Sequence, residues 1–179
     1  NPENDSYVVY YKRATSIANL PLDDETQLYR SSSQRPENFS QSVVSAAYLN
    51  NKIYVFVSSG LTGIDRGLYY YLYNGLIWSG PLNLISNSIS QGGNVNVIND
   101  NNRVYIVWGS PDGSADCYTW DGITLSSKID ICDDNVPGVT LLGGLIYVAG
   151  TDNITGNIEI YSAIAAANPT FSHHSTAMT

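Results

Sequence analysis

The sequence predicts an all-β protein made of four repeated units, and three observations support this prediction. Four tyrosines stand at equivalent places in short apolar segments about 40–50 residues apart, a period typical of propeller repeats. They are Tyr7, Tyr54, Tyr105 and Tyr147. Apolar residues alternate or form short blocks bounded by Gly, Asn, Asp and Pro, and no stretch keeps a helical period. We therefore predict a four-bladed β-propeller with four antiparallel strands per blade, and the β-trefoil is the alternative.

The repeat uses nearly the whole chain, so residues 1–179 are predicted to form one domain. The blades are placed at approximately 1–40, 41–88, 89–134 and 135–179. The first unit begins directly with its second strand, at Tyr7. Its inner strand is therefore expected from the C-terminal segment around 170–172, which would close the ring by the two termini and cover an open sheet edge.

The second unit shows the strand pattern most clearly. Its strands are predicted at 43–49, 53–57, 68–73 and 78–84. Asn50-Asn51 and Asn74-Gly75 are tight-turn sequences, and Asn-Gly is a strong hairpin signal. The unit therefore reads as an antiparallel meander.

The third and fourth units repeat this plan. Strands are predicted at 94–98, 104–108, 117–120 and 126–131, and then at 139–142, 146–150 and 157–161. The last strand of the fourth unit stays open, because 163–167 is alanine-rich and breaks the β pattern; it could form one turn of helix.

Composition excludes some partners. The formal net charge is −8, from 16 acidic and 8 basic residues, so a nucleic-acid partner is not expected. No apolar run approaches the ~20 residues that span a bilayer. Because the chain begins at Asn1 rather than Met, a mature form whose leader has been removed is expected, with a trimmed chain as the alternative; secretion is the predicted localisation.

Two cysteines and three sequons fit a secreted glycoprotein. Cys117 and Cys132 flank a turn-like stretch and are predicted to form a disulfide across a hairpin, with two buried thiols as the alternative. Glycosylation is predicted at Asn4, Asn38 and Asn153, each of which begins an Asn-x-Ser/Thr sequon.

Catalysis is not expected. A glycosidase on this fold needs several carboxylates on inner strands, and the strands predicted at 43–49, 94–98 and 139–142 contain none. The adjacent His173 and His174 would point apart on a strand, so they are interpreted as a solvated terminal segment. No cofactor is predicted, although Ca²⁺ or another ion in the central channel stays open.

Sugar binding is the chemistry that the composition favours. An aromatic face packs on the apolar side of a pyranose ring, and a few polar groups bind its hydroxyls. Trp78 and Trp120 offer such faces, and Arg103 is one of few bases. Most of the aromatic residues are nevertheless expected to form the core between blades.

These residues resemble a known family over about 43–131. Arg103-Val104-Tyr105, followed by Cys117-Tyr118-Thr119-Trp120-Asp121-Gly122, is similar to the repeat of fungal fucose-binding propeller lectins. The stretch 73–81 is similar to the next part of that repeat. In that family an arginine, a glutamate and a stacking tryptophan hold a sugar between blades.

The resemblance implies that Arg103 is the arginine and Trp78 the tryptophan. Three residues before Trp120, Cys117 stands where the glutamate would be, and Asp116 is the neighbouring carboxylate. The expected function is therefore a non-catalytic lectin that binds glycans or glycoproteins, as a monomer or homodimer. The alternative is a hemopexin-type propeller that binds a protein or ligand and holds channel ions.

Overall fold

A computed structural model describes residues 6–11, 26–34, 44–59, 67–86, 94–109, 114–133, 135–152 and 154–177. Every regular element in these ranges is a β-strand. The glycosylation sites predicted at Asn4, Asn38 and Asn153 lie outside the described residues. No helix in the described ranges is long and apolar enough to cross a membrane.

The first unit contributes a two-stranded antiparallel hairpin, which we call sheet 1. Its strands are β1 (Ser6–Tyr11) and β2 (Thr26–Gln34). The strand predicted at Tyr7 is β1, whereas β2 was not predicted. Val9 lies opposite Tyr29, and the register shifts on both sides of this region.

The second unit forms sheet 2, an antiparallel meander of four strands. They are β3 (Val44–Leu49), β4 (Lys52–Ser59), β5 (Gly67–Tyr73) and β6 (Trp78–Ser86). All four agree with the predicted strands to within a few residues. The predicted Asn50-Asn51 turn is present, and both residues have a positive φ, which asparagine tolerates better than most residues.

The third unit forms sheet 3 with the same order. Its strands are β7 (Val95–Asn99), β8 (Val104–Gly109), β9 (Ala115–Trp120) and β10 (Ile129–Cys132). The fourth strand begins later than predicted, because residues 121–128 form an extended turn with one isolated bridge, between Trp120 and Leu125.

The fourth unit forms sheet 4, whose strands are β11 (Asn135–Leu142), β12 (Leu145–Thr151), β13 (Ile158–Ile164) and β14 (Ser172–Ala177). The structure gives the last strand, which the sequence left open. Residues 165–168 form a bend between β13 and β14 rather than a turn of helix.

The prediction that the C-terminal segment completes the first unit is not supported by the described strands. β14 pairs with β13 and is the edge strand of sheet 4, and His173 of β14 lies opposite Tyr161 of β13. The C-terminal strand therefore pairs within sheet 4 rather than with the first unit. His173 and His174 accordingly belong to a strand, and both are exposed, in agreement with the prediction of a solvated segment.

The three four-stranded sheets lie side by side, with their first strands as neighbours. β3 packs against β7, and β7 packs against β11. Two hydrogen bonds join β7 to β3: the Val97 amide donates to Ser45 Oγ at 3.1 Å, and Asn99 Nδ2 donates to the Tyr48 carbonyl at 2.7 Å. The sheets are not closed into a barrel, as a β-trefoil would require.

Sheet 3 lies between its two neighbours and is covered on both faces. On one face, Trp108 and Trp120 pack against Tyr54 and Phe56 of sheet 2. On the other, Tyr105 and Val107 pack against residues of sheet 4. All residues of β8 are therefore buried, because alternate side chains enter two different cores. The Trp108 indole also donates to Ser58 Oγ of sheet 2 at 3.0 Å.

Every second turn of the three four-stranded sheets lies at the same end of the stack. The turns β3–β4, β5–β6, β7–β8, β9–β10, β11–β12 and β13–β14 all lie at one end, which we call the turn rim. Antiparallel meanders alternate their connections between two ends, and the β3–β7 contacts align the sheets. Gly122 of the β9–β10 turn lies beside Tyr54 and Asn50 of sheet 2, as this alignment requires.

Candidate functional site: a polar cavity between sheets 3 and 4

A cavity of about 260 Å³ opens at the turn rim between sheets 3 and 4. We call it the Arg103 pocket. Its lining consists of Arg103, Thr119, Asp121, Thr124 and Ser126 from sheet 3, with Ala167 and Asn168 from the β13–β14 connection. The volume is just below the roughly 300–1,000 Å³ of typical small-molecule sites, so it suits a small polar ligand.

The pairing of β8 with β9 brings the charged residues together. Val104 lies opposite Trp120, so the residues just beyond this pair, Arg103 and Asp121, stand next to each other at the sheet end. They are 18 positions apart in the chain and belong to different turns. The register of two strands, rather than any local motif, therefore builds the charged part of the pocket.

Arg103 is positioned by a turn around Asp100. The Asp100 Oδ1 atom accepts hydrogen bonds from the amides of Asn102 at 2.7 Å and Arg103 at 2.9 Å. Its Oδ2 atom accepts one from the Tyr105 hydroxyl at 2.8 Å. Burial alone would raise the pKa of Asp100, but these hydrogen bonds outweigh it and lower the pKa. Asp100 is thus ionised, and its hydrogen bonds hold the backbone of Arg103 in place.

Asp121 is held in a second turn of the same type. Its Oδ1 atom accepts from the amides of Ile123 at 2.8 Å and Thr124 at 2.7 Å. These two hydrogen bonds, first that of Thr124, lower the pKa of Asp121. Gly122 has a φ of 98°, a conformation that favours glycine. The turn therefore presents an ionised carboxylate whose Oδ2 is not used by these bonds.

The hydroxyl groups of the wall mostly hold the protein together. Thr119 Oγ1 donates to the Ala167 carbonyl of sheet 4 at 2.5 Å. Ser126 Oγ accepts from the Thr119 amide at 2.9 Å and donates to the Ser127 carbonyl at 2.8 Å. The Thr119 bond joins the two sheets, and the Ser126 bonds hold the β9–β10 turn against β9. The groups left to meet a ligand are the Arg103 guanidinium, Asp121 Oδ2, the Thr124 hydroxyl and the Asn168 amide.

Arg103 makes no ion pair within the described part of the chain, where the ion pairs are those of Lys128 and His173. A guanidinium offers five donors in one plane, and a carboxylate accepts in return. The pocket therefore combines donors and acceptors with balanced charge.

Of the predicted ligand-binding residues, only Arg103 lines this cavity. Trp78 begins β6 and packs with Val57 and Tyr71 on the face of sheet 2 that points away from sheet 3. Its ring lies 5.2 Å from the Tyr73 ring, centroid to centroid. Trp78 and Arg103 therefore belong to different sheet faces and do not form one site.

Trp120 lies in the core between sheets 2 and 3. Its side chain is 2% exposed, and its ring meets Tyr54 edge-on at 4.7 Å and Tyr70 at 4.9 Å. Because β9 alternates its faces, Trp120 points to sheet 2 while its neighbours Thr119 and Asp121 point to sheet 4. The predicted sugar-stacking face is thus occupied by protein.

Asp116 lies toward the other end of β9, in a charged cluster. Lys128 Nζ is 3.3 Å from Asp116 Oδ1 and 2.8 Å from Asp130 Oδ1. Burial raises the pKa of Asp116, and Lys128 only partly offsets this. Hydrogen bonding to Asp130 is the main cause that raises the pKa of Lys128. Asp116 therefore pairs with protein rather than with the cavity.

The disulfide prediction is wrong, because the two cysteines are out of register. They do lie on neighbouring strands, but Cys117 is opposite Ile129, and Cys132 is opposite Ala115. No bridge joins them. The alternative of unbridged thiols holds, with Cys117 fully buried and Cys132 partly buried. Burial raises the pKa of Cys117 to about 12.

The residues that sequence reasoning missed are Thr119, Asp121, Thr124, Ser126 and Asn168. The Asp-Gly-x-Thr sequence at 121–124 was visible as a turn, and its carboxylate could have been considered as a ligand group. The contribution of the β13–β14 connection had no sequence signal. Groups of three or more metal-ligating side chains are absent from the described residues.

Comparison with protein-family models and with curated proteins gives no match. The likeness to fucose-binding propeller lectins therefore stays a likeness of short phrases.

Proposed function

We propose that the protein binds a neutral carbohydrate, without catalysis, in the Arg103 pocket. The observation that carries this proposal is that Arg103 and Asp121 line one cavity at the junction of two sheets. A sugar hydroxyl both donates and accepts, so it can accept from the guanidinium and donate to the carboxylate. The sugar class is neutral because Asp121 in the lining and ionised Asp100 beside it offset the charge of Arg103, which leaves no net positive charge for an acidic sugar.

The proposed binding mode differs from the one that the resemblance implies. Asp121 takes the role of the acidic partner that Cys117 and Asp116 cannot fill. No tryptophan lines the cavity, so binding rests on hydrogen bonds and a weak affinity is expected. Several equivalent junctions or several chains would be needed for avidity.

The experiment is a glycan array followed by calorimetry, with three variants. Arg103→Ala is expected to weaken binding at least tenfold. Asp121→Asn removes the charge but keeps the Oδ1 acceptor of the turn; Asn74 forms the same turn in sheet 2, accepting from the Leu76 and Ile77 amides. Lys52→Ala is the control, since Lys52 is an exposed cation at the place in sheet 2 that matches Arg103.

The proposal fails if wild-type protein gives no reproducible array hit. It also fails if Arg103→Ala binds as well as wild type, or if Lys52→Ala is equally impaired. Circular dichroism of each variant excludes unfolding as the cause.

We also propose that the three sheets belong to a four-bladed ring that the first unit completes. The phased tyrosines support this. Tyr54 points to sheet 3 and Tyr105 points to sheet 4, and both are buried there. Tyr147 occupies the same place in sheet 4 and points away from sheet 3, where it lines a cavity of about 410 Å³. A further sheet on this face would give Tyr147 the same surroundings.

The opposite flank of the stack also supports the ring. Val57 and Tyr71 of sheet 2 face away from sheet 3, yet they are 0% and 4% exposed. Tyr147→Arg tests the proposal by thermal unfolding. In a closed ring the buried charge lowers Tm by several degrees, whereas Ile154→Arg, at an exposed turn, leaves Tm unchanged. An unchanged Tm for Tyr147→Arg would contradict closure.

A further inference from the structure

Exposed apolar side chains are concentrated at the turn rim. Ten large apolar residues are exposed in the described part of the chain, and seven of them lie at or next to the turns of this end. The seven are Tyr48, Ile53, Leu76, Ile77, Ile123, Leu142 and Ile164. Single exposed apolar residues need no explanation, but their collection on one side of a molecule indicates an interaction surface.

The most exposed members stand at the tips of separate turns. Leu76 is 86% exposed and Ile123 is 92% exposed, and each is the third residue of a turn whose first side chain binds the following amides. The backbone of each tip is thus held rigidly by the Asn74 or Asp121 side chain. These apolar side chains are separated from one another by polar turn atoms. They can insert individually into the deformable headgroup region of a bilayer more readily than they can pack together against a flat protein surface.

The charge of the rim suits an uncharged interface. Its described charged side chains are Lys52 and Arg103 against Asp100 and Asp121, two of each sign; Lys128, the last residue of the β9–β10 turn, is already paired with Asp116 and Asp130. An anionic membrane would attract a cluster of basic residues, which this rim lacks. Tyr48, 57% exposed, adds the kind of amphipathic ring that is common at membrane–water boundaries.

We propose that the turn rim is a docking surface for a zwitterionic lipid bilayer, into whose headgroup region Leu76, Ile123 and their neighbours insert. This mode lies on the membrane without spanning it. Membrane docking of this kind does not depend on the sugar proposal, because it requires only lipid and no carbohydrate ligand. It does place the Arg103 pocket, which opens at the same rim, within reach of headgroups.

The test is flotation of the full chain with phosphatidylcholine vesicles. Wild type is expected to bind with little dependence on salt. The double variant Leu76→Ser/Ile123→Ser is expected to bind roughly 100-fold more weakly, on the order of tenfold for each tip. Ile154→Ser is the matched control: it occupies the same turn position, is 96% exposed, and lies at the opposite end of sheet 4. It should bind as wild type does.

Three results would overturn the proposal. The first is that wild type fails to float with phosphatidylcholine vesicles. The second is that it floats only with phosphatidylserine vesicles at low salt. The third is that the control variant loses as much binding as the double variant. Sedimentation velocity distinguishes a second copy of the chain as the occupant, since dimers that the double variant abolishes, without vesicle binding, would also refute it. If the double variant misfolds, Leu142→Ser/Ile164→Ser replaces it.

Discussion

The two faces of strand β9 have opposite characters, although they are built from adjacent residues. Toward sheet 2, Trp120 is enclosed by Tyr54, Phe56 and Tyr70. Toward sheet 4, Thr119 reaches the facing loop through one hydrogen bond, and a cavity is left beside it. Near the turn rim, large aromatic side chains fill the junction with sheet 2, whereas the junction with sheet 4, which has an apolar core around Tyr105, leaves a cavity lined mostly by polar side chains. A cavity therefore opens beside β9 only on the face where a threonine, rather than a tryptophan, stands near the rim.

The largest effect on stability is expected from a substitution on the face of β9 that is packed against sheet 2. Trp120→Ala should destabilise the protein by about 3–5 kcal/mol, because it leaves a cavity among three aromatic rings. Urea unfolding measures this. An equal substitution of the half-exposed Trp78 should cost clearly less. If both cost the same, the closed junction has no special role in stability.

A smaller effect on stability is expected from a substitution on the face of β9 that borders the Arg103 pocket. Thr119→Val removes the hydrogen bond to the Ala167 carbonyl and should cost roughly 0.5–1.5 kcal/mol. It should also loosen the Arg103 pocket, so sugar affinity falls while the core between sheets 2 and 3 is unchanged. Tryptophan fluorescence, to which the core residues Trp108 and Trp120 contribute together with Trp78, is expected to stay as in wild type. A fluorescence shift would show that the two faces are coupled.

The two faces should also differ in pH dependence. The pKa of Asp121 is lowered, so its contribution to stability is present above the unfolded value near 3.9 and is lost as pH falls below it. The pKa of Asp116 is raised by burial, so its contribution has the opposite sign and is lost as pH rises through the folded pKa. Stability–pH curves of Asp121→Asn and Asp116→Asn should therefore deviate from wild type in opposite directions. Deviations of the same sign would contradict the assignment.

The smallest effect is expected on thiol reactivity. Cys117 is fully buried on the face toward sheet 4, and its pKa is about 12. It should resist a thiol reagent at pH 8 in native protein, while Cys132 reacts faster, and both should react in urea. Mass spectrometry of the labelled sites checks this. Rapid native labelling of Cys117 would indicate that the junction of sheets 3 and 4 opens.

Most strands were predictable because they depend on local patterns. Alternating apolar residues and tight-turn sequences such as Asn74-Gly75 gave the strands of sheets 2 and 3 to within a few residues. The pairing of Cys117 with Cys132 was not predictable, since facing strands alone do not decide it. A shift in register between Asp130 and Cys132 places each thiol opposite another residue.

The candidate site was only partly predictable. Arg103 was predicted, because the Arg-Val-Tyr phrase resembles the lectin repeat and because the chain has only eight basic residues. Trp120 was expected to face a ligand, but its position on β9 directs it into the core. Asp121, one residue later, points the other way. A one-residue change in position reverses the face of a strand, and sequence alone did not indicate which face met which sheet.

Local side-chain periodicity and the conformations that Asn and Gly adopt were enough to predict the all-β character, the repeat and the turns. The position of sheet 3 between two others, the proximity of Arg103 and Asp121 and the common rim of the turn tips became visible only in the folded chain. Those relations depend on strand register and on how whole sheets face each other. They join residues that are far apart in the chain, which no local pattern records.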